Sequence, residues 1–444
     1  MSVITTTLSL ALILAPMASR EIQDTTRLTL AAAVELARSS NPTLRAERAE
    51  ARAAAQLPNE ASTAYLPTIT LDLAGMRTTD PVAVFGLKLR QGVFQQEDLA
   101  LDALNNPDPY TSFNSTASIQ QPLIVPEGWF GHQAANRGAA ARAAAADRAA
   151  GATTFQVTRA YWDVLFAAAR LAALDTALVT AEAHVAQAGL MHEQGLVTGL
   201  DARLGRLRAA EVEVRRLQAD ARLANARTRL RALLALPDSV AVVLVDSLAG
   251  PVSQSCEPSS SCEPSERGDL IALRLGAEAA DYGVRRAWAS QLPFVFGFGS
   301  VAHYSNSAPF GSGSGDWTVG IGVRWNILRG WAGPGEVARA KAQRDAAEAR
   351  AEAASRQAAV EVRSAERLLE AARQRVVVAE SAAREAGEAL AQARLRYRTG
   401  ASAITELLDV QTAATNTTLN LLAARRDLLV AAAARDFAYG ANDS

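Results

Sequence analysis

The chain repeats one structural plan twice, and this duplication constrains its fold more than any other feature of the sequence. Each half is predicted to contain a short helix, two strands, a very long helix, a turn and a return helix. The short helices end at Leu66-Pro67 and at Leu292-Pro293, where proline stops a helix and favours an extended segment. The duplication decides the fold class, because both copies must satisfy the same architecture.

Period-two alternation of side chains predicts four strands, two in each half. The pattern is strictest in residues 317–327 and is also present in residues 294–304, 69–73 and 113–120. One face of these segments carries Gly, Ser, Thr, Asn and Gln, which suits a water-filled lumen. The other face is apolar or aromatic, and we expect it to contain Phe294, Phe296, Phe298, Trp317, Val319, Ile321, Val323 and Trp325. A soluble sandwich is the alternative, and it is less favoured because only four strands are predicted.

Two long helices are predicted at residues 131–194 and 333–399, each extending roughly 95–100 Å at 1.5 Å per residue. Turns at Gly195 and Gly400 follow, and each leads into a return helix that is shorter than its partner. A helix predicted over residues 42–64 supplies the missing length, so we expect it to stack end to end with the first return helix. The helices are rich in Ala with interspersed Arg and Glu, which favours close packing and solvated charged faces.

The chain is expected to divide into four segments. An apolar run at residues 8–15 is too short to span a bilayer and predicts a secretory signal peptide. In chain order the segments are a signal peptide at 1–19; a first repeat at 20–236, with a β-hairpin at 65–125 and a long helix pair at 131–236; a linker at 237–266; and a second repeat at 267–440, with a hairpin at 292–328 and a helix pair at 333–438.

Composition and residue types exclude several classes of function. A net charge of −1 argues against a nucleic-acid binder, which would carry a basic stripe. No acid–base pair or activated nucleophile stands out, so no enzyme is expected. The two cysteines, Cys256 and Cys262, lie in a low-complexity linker and are expected to form at most a small disulfide loop. A metal site there is the alternative, but no histidine is near, and neither a metal nor a cofactor is expected.

Four strands cannot close a membrane barrel, because the smallest such barrels have eight. Open sheet edges in lipid would leave backbone groups unpaired at several kcal/mol each. The chain is therefore expected to pool its strands with copies of itself. Two copies give eight strands and a lumen filled by side chains, whereas three give twelve and leave room for a channel. The small polar residues of one face favour the trimer.

A set of short motifs, most of them present in both halves and in the same order, makes the sequence resemble the outer membrane efflux proteins, the TolC-like family. The residues that carry the resemblance are Leu28-Thr29-Leu30, Ala37, Asn41-Pro42, Leu66-Pro67, Leu292-Pro293, Gln121-Pro122-Leu123, Trp325-Asn326-Ile327-Leu328 and the two helix turns. The resemblance implies an all-α coiled-coil periplasmic tunnel with four transmembrane strands per protomer, and a homotrimer with a 12-stranded barrel in outer-membrane lipid. Such a protein is a passive exit duct of a Gram-negative tripartite efflux or type I secretion system.

The resemblance also implies partners. These are a periplasmic adaptor (membrane fusion) protein and an inner-membrane transporter, which supplies the energy. The alternative function is a periplasmic coiled-coil adaptor or scaffold protein of an export machine. That alternative requires a compact β domain, which the sequence does not offer.

The helix turns carry the functional residues that the resemblance implies. Gly195, Leu196, Val197 and Gly400 are expected to contact the adaptor. Asp201, Tyr397, Glu406 and Asp409 are expected to form the periplasmic gate, with Glu406 and Asp409 on one helix face because they are three residues apart. A solvated helix face is the alternative for this pair. Asp201 and Tyr397 are expected to hydrogen-bond across the two helix pairs. The family pattern has an arginine two residues after the second glycine, where this chain has Ser402.

Two further features are assigned to the membrane region. The segment 77–111 is expected to be a long loop outside the cell, where barrels keep their longer loops. Trp129, Phe130, Trp325 and Trp331 lie at strand-to-helix transitions, where an interfacial aromatic belt would sit. Core packing at the same junction is an equally good role for these side chains.

Overall fold

The computed structural model of the chain describes residues 25–249, 267–327 and 330–441. The predicted signal peptide, Cys256, Cys262 and Leu328 lie outside the described residues. In chain order the elements are β1 (Thr25–Leu28), α1 (Leu30–Ser40), α2 (Pro42–Ala54), α3 (Leu57–Ser62), β2 (Thr68–Thr78), α4 (Pro81–Arg90), a 3-10 turn (Gln96–Leu99), α5 (Leu101–Asn105), β3 (Tyr110–Ile124), α6 (Pro126–Glu193), α7 (Gly199–Leu233), β4 (Ala241–Leu244), α8 (Gly268–Ala289), β5 (Phe294–Ser305), β6 (Gly313–Arg324), α9 (Ala332–Arg398) and α10 (Ile404–Tyr439).

These elements form two compact units. The first unit combines β1, α1, α7 and β4 with the parts of α6 from Val157, of α9 from Ala379 and of α10 up to Arg426. The second unit combines α2 to α5, the four long strands and α8 with the remaining parts of α6, α9 and α10.

The helices of the two halves match closely in length. α6 and α9 contain 68 and 67 residues, and the return helices α7 and α10 contain 35 and 36. Among the described residues, α6 is the one helix that is long and apolar enough by composition to cross a membrane. Within the first unit it buries Val157, Tyr161 and Leu174 completely, so these apolar side chains pack inside the protein.

The predicted helix over residues 42–64 is divided into two. Asn41 caps α2 by accepting hydrogen bonds from the backbone N–H groups of Thr43 and Leu44, at 2.9 and 3.2 Å. Pro58 then lies in the first turn of α3, where a missing N–H is tolerated. The proline therefore separates α2 from α3, whereas α8 in the second half continues for 22 residues.

Two short strands that were not predicted, β1 and β4, form a parallel pair in the first unit. The Asp246 carboxylate follows β4 and accepts a hydrogen bond from the backbone N–H of Leu30 at 2.8 Å. The buried hydroxyl of Tyr161 donates to the same carboxylate at 2.7 Å. Burial raises the pKa of Tyr161 because it penalises the phenolate, so the tyrosine stays a donor. Asp246 thus fixes the start of α1 against α6.

The N-terminus of α8 is fixed in the second unit by a buried guanidinium. Arg267 donates to Asp269 at 2.8 Å, to Glu361 at 2.9 Å and to the carbonyl oxygen of Ala438 at 3.3 Å. A buried arginine needs this many acceptors because an unpaired buried charge costs several kcal/mol. Its next neighbour, Gly268, lies so close to α6 that a Cβ atom would be 2.4 Å from the Ala144 carbonyl oxygen. These contacts join α6, α8, α9 and α10.

The four long strands form one antiparallel sheet in the order β2-β3-β5-β6. A register shift between Pro122 and Ile124 occurs where β3 leaves the sheet. Within the described residues, β2 and β6 each have a partner on one side only. The sheet is therefore open at both edges.

One side of the sheet, the apolar face, is defined by the cross-strand register. Trp317, Val319 and Ile321 of β6 pair with Val301, Gly299 and Gly297 of β5. The same face continues through β3 to β2, and its large side chains are more than half exposed at Ile69, Leu71, Leu73, Val301, Trp317, Val319, Ile321 and Val323. An apolar surface of this extent is not left to water in a folded protein.

The opposite side, the polar face, carries Thr68, Thr70, Asp72, Asn114, Thr116, Ser118, Gln120, Ser300 and Thr318. It also carries Phe294, Phe296 and Phe298, so the prediction that these phenylalanines share the face of Trp317 is wrong. Phe296 pairs with Gly322 and Phe298 with Gly320. A Cβ atom at Gly322 would lie 2.5 Å from Phe296 Cζ, which shows that the ring lies over the glycine. The register pairs large side chains with glycine on both faces.

The segment 77–111, predicted to be a loop, contains two short helices and a 3-10 turn. The Asp80 side chain caps α4 by accepting from the backbone N–H of Ala83 at 2.7 Å. Gln91 at the end of α4 is buried and donates to the Ser112 hydroxyl at 3.0 Å. The bond from Gln91 attaches the segment to the start of β3.

Candidate functional site at the helix-pair tips and on the sheet

The two helix-pair turns have the same backbone geometry. Gly195 and Gly400 have φ values of +72° and +73°, in the left-handed region that glycine adopts without strain. In the first turn the N–H of Leu196 donates to the Met191 carbonyl at 2.9 Å. In the second turn the N–H of Ala401 donates to the Arg396 carbonyl oxygen at 2.8 Å. Both turns are Schellman-type helix ends, which explains why glycine stands at each.

The first tip presents apolar side chains to solvent. Leu196 and Leu200 are 66% and 62% exposed, and Val197 is half-buried. The ring of His192 lies 3.1 Å from the Val197 carbonyl oxygen and supports the turn. The first tip is therefore a hydrogen-bonded turn with two exposed leucines.

Asp201 caps the N-terminus of α7. Its carboxylate accepts hydrogen bonds from the Thr198 backbone N–H at 2.9 Å and from the Thr198 hydroxyl at 3.1 Å. This is the arrangement of a capping box, in which the third helical residue satisfies the N-cap N–H. A carboxylate in the first helical turn is also stabilised by the helix dipole.

Tyr397 is buried in an apolar cluster at the second tip, and its hydroxyl has no hydrogen-bond partner among the described residues. The cluster also contains Ala188, Ala393, Ile404, Leu407 and Leu408. Burial raises the pKa of Tyr397, and the charge of Asp201 adds to this rise. The two predicted gate residues are therefore close enough to interact electrostatically, but the expected hydrogen bond between them is absent from this chain.

The two predicted mouth carboxylates both have arginine neighbours. Arg396 donates to Glu406 across the second turn at 2.8 Å. Arg208 of α7 lies 3.7 Å from Asp409, whose side chain is 75% exposed. Both pairs reach solvent, and exposed pairs of this kind contribute about 0.2–1 kcal/mol. The tip thus carries both signs of charge.

Ser402 occupies the position where the family pattern has arginine. Its hydroxyl is buried and has no hydrogen-bond partner in the part of the chain that the structure describes. A serine here cannot replace a guanidinium that reaches across helix pairs. Arg396 instead supplies the guanidinium that bonds Glu406 at this tip.

His184, which was not predicted to have a role, is buried on α6 beside a cavity of about 20 Å³. The cavity has room for about one water molecule. Within the described residues, the His184 Nε2 atom has no hydrogen-bond partner. Burial and the nearby Arg394 guanidinium lower the pKa of His184. Arg208, Glu211, Arg215 and Gln411 line the same cavity.

A second feature that was not predicted is an arginine stripe on α7. Arginine recurs at every seventh position, at Arg208, Arg215, Arg222 and Arg229. A seven-residue period keeps these side chains on one face of a coiled-coil helix. Two of them line a groove with Arg170 of α6, whose pKa is lowered by burial and by the charges of Arg222 and Arg215. The heptad spacing was readable from the sequence.

The tryptophans at the strand-to-helix transitions are exposed. Trp129, Trp325 and Trp331 expose 52%, 56% and 89% of their surface. The Trp325 indole N–H donates to the Gln291 carbonyl at 3.0 Å and follows the end of β6, although it was predicted inside the strand. Their exposure favours an interfacial aromatic belt over core packing.

No group of three or more His, Cys, Asp or Glu side chains within the described ranges is arranged to hold a metal ion.

The chain belongs to the outer membrane efflux protein family, whose model matches residues 33–236 and 264–441. Membership places it in the outer membrane, with helices in the periplasm, as a channel component of efflux systems. The family consists of channel proteins, so membership favours the channel over the adaptor alternative and accords with the expectation of no enzyme. No curated protein matches the chain significantly in sequence.

Solved structures of similar proteins share the fold. A membrane protein from Pseudomonas aeruginosa is 22% identical, with 93% of each chain covered and a TM-score of 0.77. The outer membrane protein VceC from Vibrio cholerae is 20% identical, with 93% of this chain and 96% of that chain covered and a TM-score of 0.76. The CmeC outer membrane channel of Campylobacter jejuni is 17% identical, with 93% and 86% covered and a TM-score of 0.80.

Proposed function

We propose that the chain is one protomer of a trimeric exit duct in a tripartite efflux or type I secretion system. The observation that carries the proposal is the four-stranded sheet, which has an exposed apolar face, a polar face and two unpaired edges. In lipid each edge must be paired, since unsatisfied backbone groups there cost several kcal/mol. Pairing β6 of one protomer with β2 of the next satisfies both edges at once.

The number of strands supports three protomers. Twelve strands leave a lumen, whereas eight leave an interior filled by side chains. The polar face carries small side chains such as Thr70, Ser118 and Thr318, which suit contact with water inside a channel. The apolar face would then meet lipid around the whole circumference.

The helices of the second unit offer a surface for a neighbouring protomer. A groove of about 710 Å³ between α9 and α10 is lined mainly by small and apolar side chains, among them Val360, Leu368, Ala434 and Phe437. Leu368 is 63% exposed and Val360 is 51% exposed. Small residues permit close approach of a further helix, as coiled-coil packing requires.

The helix-pair tips support binding of a periplasmic adaptor, which in turn would couple the duct to an inner-membrane transporter. Gly195, Leu196, Val197 and Gly400 form the two turns, and the exposed Leu196 provides an apolar anchor. The arginine stripe of α7 adds a surface for an acidic helix of a partner. The duct itself then needs no energy source of its own.

The periplasmic gate is proposed to contain Asp201, Tyr397, Glu406 and Asp409. In a trimer, Glu406 and Asp409 would place six carboxylates around the mouth, and such a ring favours cations. Arg396 and Arg208 reduce that preference because they pair with these carboxylates within each protomer. The mouth is thus a ring of mixed charge rather than a purely acidic one.

A pair of lysine substitutions on the two faces of β6 tests the proposal. Ile321→Lys places a charge on the apolar face, where lysine at the bilayer midplane costs about 2–4 kcal/mol. Thr318→Lys places the same charge on the polar face and serves as the matched control. We expect Ile321→Lys to reduce the amount of protein in the outer-membrane fraction strongly and Thr318→Lys to leave it near wild type.

Conductance of the purified wild-type protein completes the test. Discrete single-channel conductance in planar bilayers is the expected result. The absence of channels, or equal effects of Ile321→Lys and Thr318→Lys on outer-membrane incorporation, would contradict the proposal.

A further inference from the structure

The polar face of the sheet contains an aromatic ladder, which we define as Phe294, Phe296 and Phe298. The rings of Phe294 and Phe296 are stacked, with centroids 5.2 Å apart and planes inclined by 19°. The rings of Phe296 and Phe298 are 6.1 Å apart and inclined by 40°. Three alternate residues of β5 that share the polar face are therefore aromatic and adjacent.

The opposing strand makes room for the ladder. A Cβ atom at Gly320 would lie 2.7 Å from Phe298 Cζ, and one at Gly322 would lie 2.5 Å from Phe296 Cζ. The far ends of both phenylalanine rings, Cζ and the two Cε atoms, therefore lie over glycine positions of β6. Phe298 remains 39% exposed on the polar face. Exposure of an aromatic ring to water is unfavourable, so a ligand that covers the ring would be stabilised.

A guanidinium stands at the end of the ladder. Arg324 pairs with Phe294 across the strands, and its guanidinium carbon lies 5.5 Å from the Phe296 ring centroid. Arg324 is exposed, and among the described residues no carboxylate forms an ion pair with it. The acidic residues of the polar face, Asp72 and Asp316, share a different row, with Ala302 between them.

Together these groups can recognise one class of molecule. A planar aromatic ring stacks on a phenylalanine face at a centroid distance of about 4.5–7 Å. A carboxylate or sulfonate on that ring would reach the Arg324 guanidinium, which can bind two oxygen atoms of such a group with two hydrogen bonds. An aliphatic anion would contact only Arg324, and a neutral aromatic molecule would contact only the phenylalanine rings, so each would bind more weakly.

We propose that the aromatic ladder and Arg324 form a transient binding site for planar aromatic anions that pass through the channel. The proposal rests on the proposed function, because it requires the polar face to line a lumen. Three protomers would present nine rings and three guanidinium groups around that lumen. The site is a contact point along the exit path and requires no conformational change.

The test is current block by defined probes in planar bilayers that contain the purified full-length protein. Naphthalene-2-sulfonate is the aromatic anion, and methanesulfonate is the aliphatic control. We expect naphthalene-2-sulfonate to reduce the single-channel current at concentrations where methanesulfonate does not. Arg324→Gln and Phe296→Leu should each weaken this block by about tenfold, the effect of losing one charge-assisted or aromatic contact.

Two matched variants on the apolar face serve as controls. Arg77→Gln removes an exposed charge from β2, and Trp317→Leu removes an aromatic ring from β6. Both should leave the block unchanged. Arg324→Gln keeps the test decisive even if Phe296→Leu fails to fold, because the Arg324 side chain is exposed.

The outcomes separate this inference from the proposed function. Channels that conduct normally but are blocked equally by the two sulfonates would overturn the aromatic site and leave the exit duct intact. Equal block of wild type and Arg324→Gln by naphthalene-2-sulfonate would overturn it as well. A wild-type protein that forms no channel would contradict the proposed function itself.

Discussion

Replacing the glycine of the second tip should loosen that tip without disturbing the rest of the helix pair. Gly400 has a φ of +73° and accepts the left-handed geometry that closes the turn after α9. A Cβ atom added at Gly400 would meet nothing within 4 Å. Gly400→Ala therefore acts through backbone strain alone and creates no steric clash.

The size of the effect follows from two opposing contributions. An L-residue in the left-handed region costs roughly 1–2 kcal/mol. Alanine recovers about 0.4–1 kcal/mol because it has less conformational freedom than glycine in the open chain. The net cost is about 1 kcal/mol, which makes local opening roughly five times more frequent.

Amide hydrogen exchange of peptides that cover residues 396–406 measures this opening. Gly387→Ala is the matched control, because Gly387 lies in the interior of α9, has open space around it and has no positive φ. Gly400→Ala should exchange roughly fivefold faster than wild type at the tip, whereas Gly387→Ala should not be faster. Unchanged exchange in Gly400→Ala would refute the assignment of strain to this turn.

Three further perturbations have expected outcomes. Ala235→Gly should stabilise the end of α7 by about 1 kcal/mol, because Ala235 has a φ of +53° where the equivalent end of α10 has Gly440; slower exchange of the Leu236 amide checks this. The pKa of His184 is lowered in the folded chain, so below about pH 6.5 the unfolded chain binds a proton that the folded chain does not. The free energy of unfolding therefore decreases as the pH falls from about 6.5 to the folded-state pKa. His184→Gln should flatten this acid loss in thermal denaturation measured from pH 7 to pH 5, and an unchanged pH profile would exclude His184 as its source. Glu406→Gln with Asp409→Asn should reduce the cation preference of the channel in reversal-potential measurements. An unchanged preference would show that these two carboxylates do not line the channel mouth.

The elements that depend on local chemistry were predictable from the sequence. Gly195 and Gly400 mark the turns because only glycine takes up the left-handed geometry without strain. Leu66-Pro67 and Leu292-Pro293 precede β2 and β5 because proline ends a helix. The Thr198 and Asp201 spacing is likewise a local signal for helix capping, and it explains why Asp201 bonds its own helix start rather than Tyr397.

The features that depend on pairing between distant segments were not predictable. Alternation divides one strand into two faces, but it does not show which face continues on the next strand. Phe296 was therefore placed beside Trp317, whereas the register pairs it with Gly322. The parallel pairing of β1 with β4 joins segments more than two hundred residues apart, and neither strand is long enough to show a periodic pattern.

Cross-linking of the two sheet edges shows whether three protomers close into one barrel. Thr70 on β2 and Thr318 on β6 lie in one row of the polar face, at opposite edges of the sheet. In a chain with both native cysteines changed to serine, Thr70→Cys with Thr318→Cys should yield covalent dimers and trimers with a flexible thiol cross-linker, and nothing larger. Each single-cysteine variant should remain largely monomeric on the same denaturing gel. A closed ring of three protomers predicts the covalent trimer as the largest product, whereas monomers alone, or a ladder that continues beyond three, would contradict it.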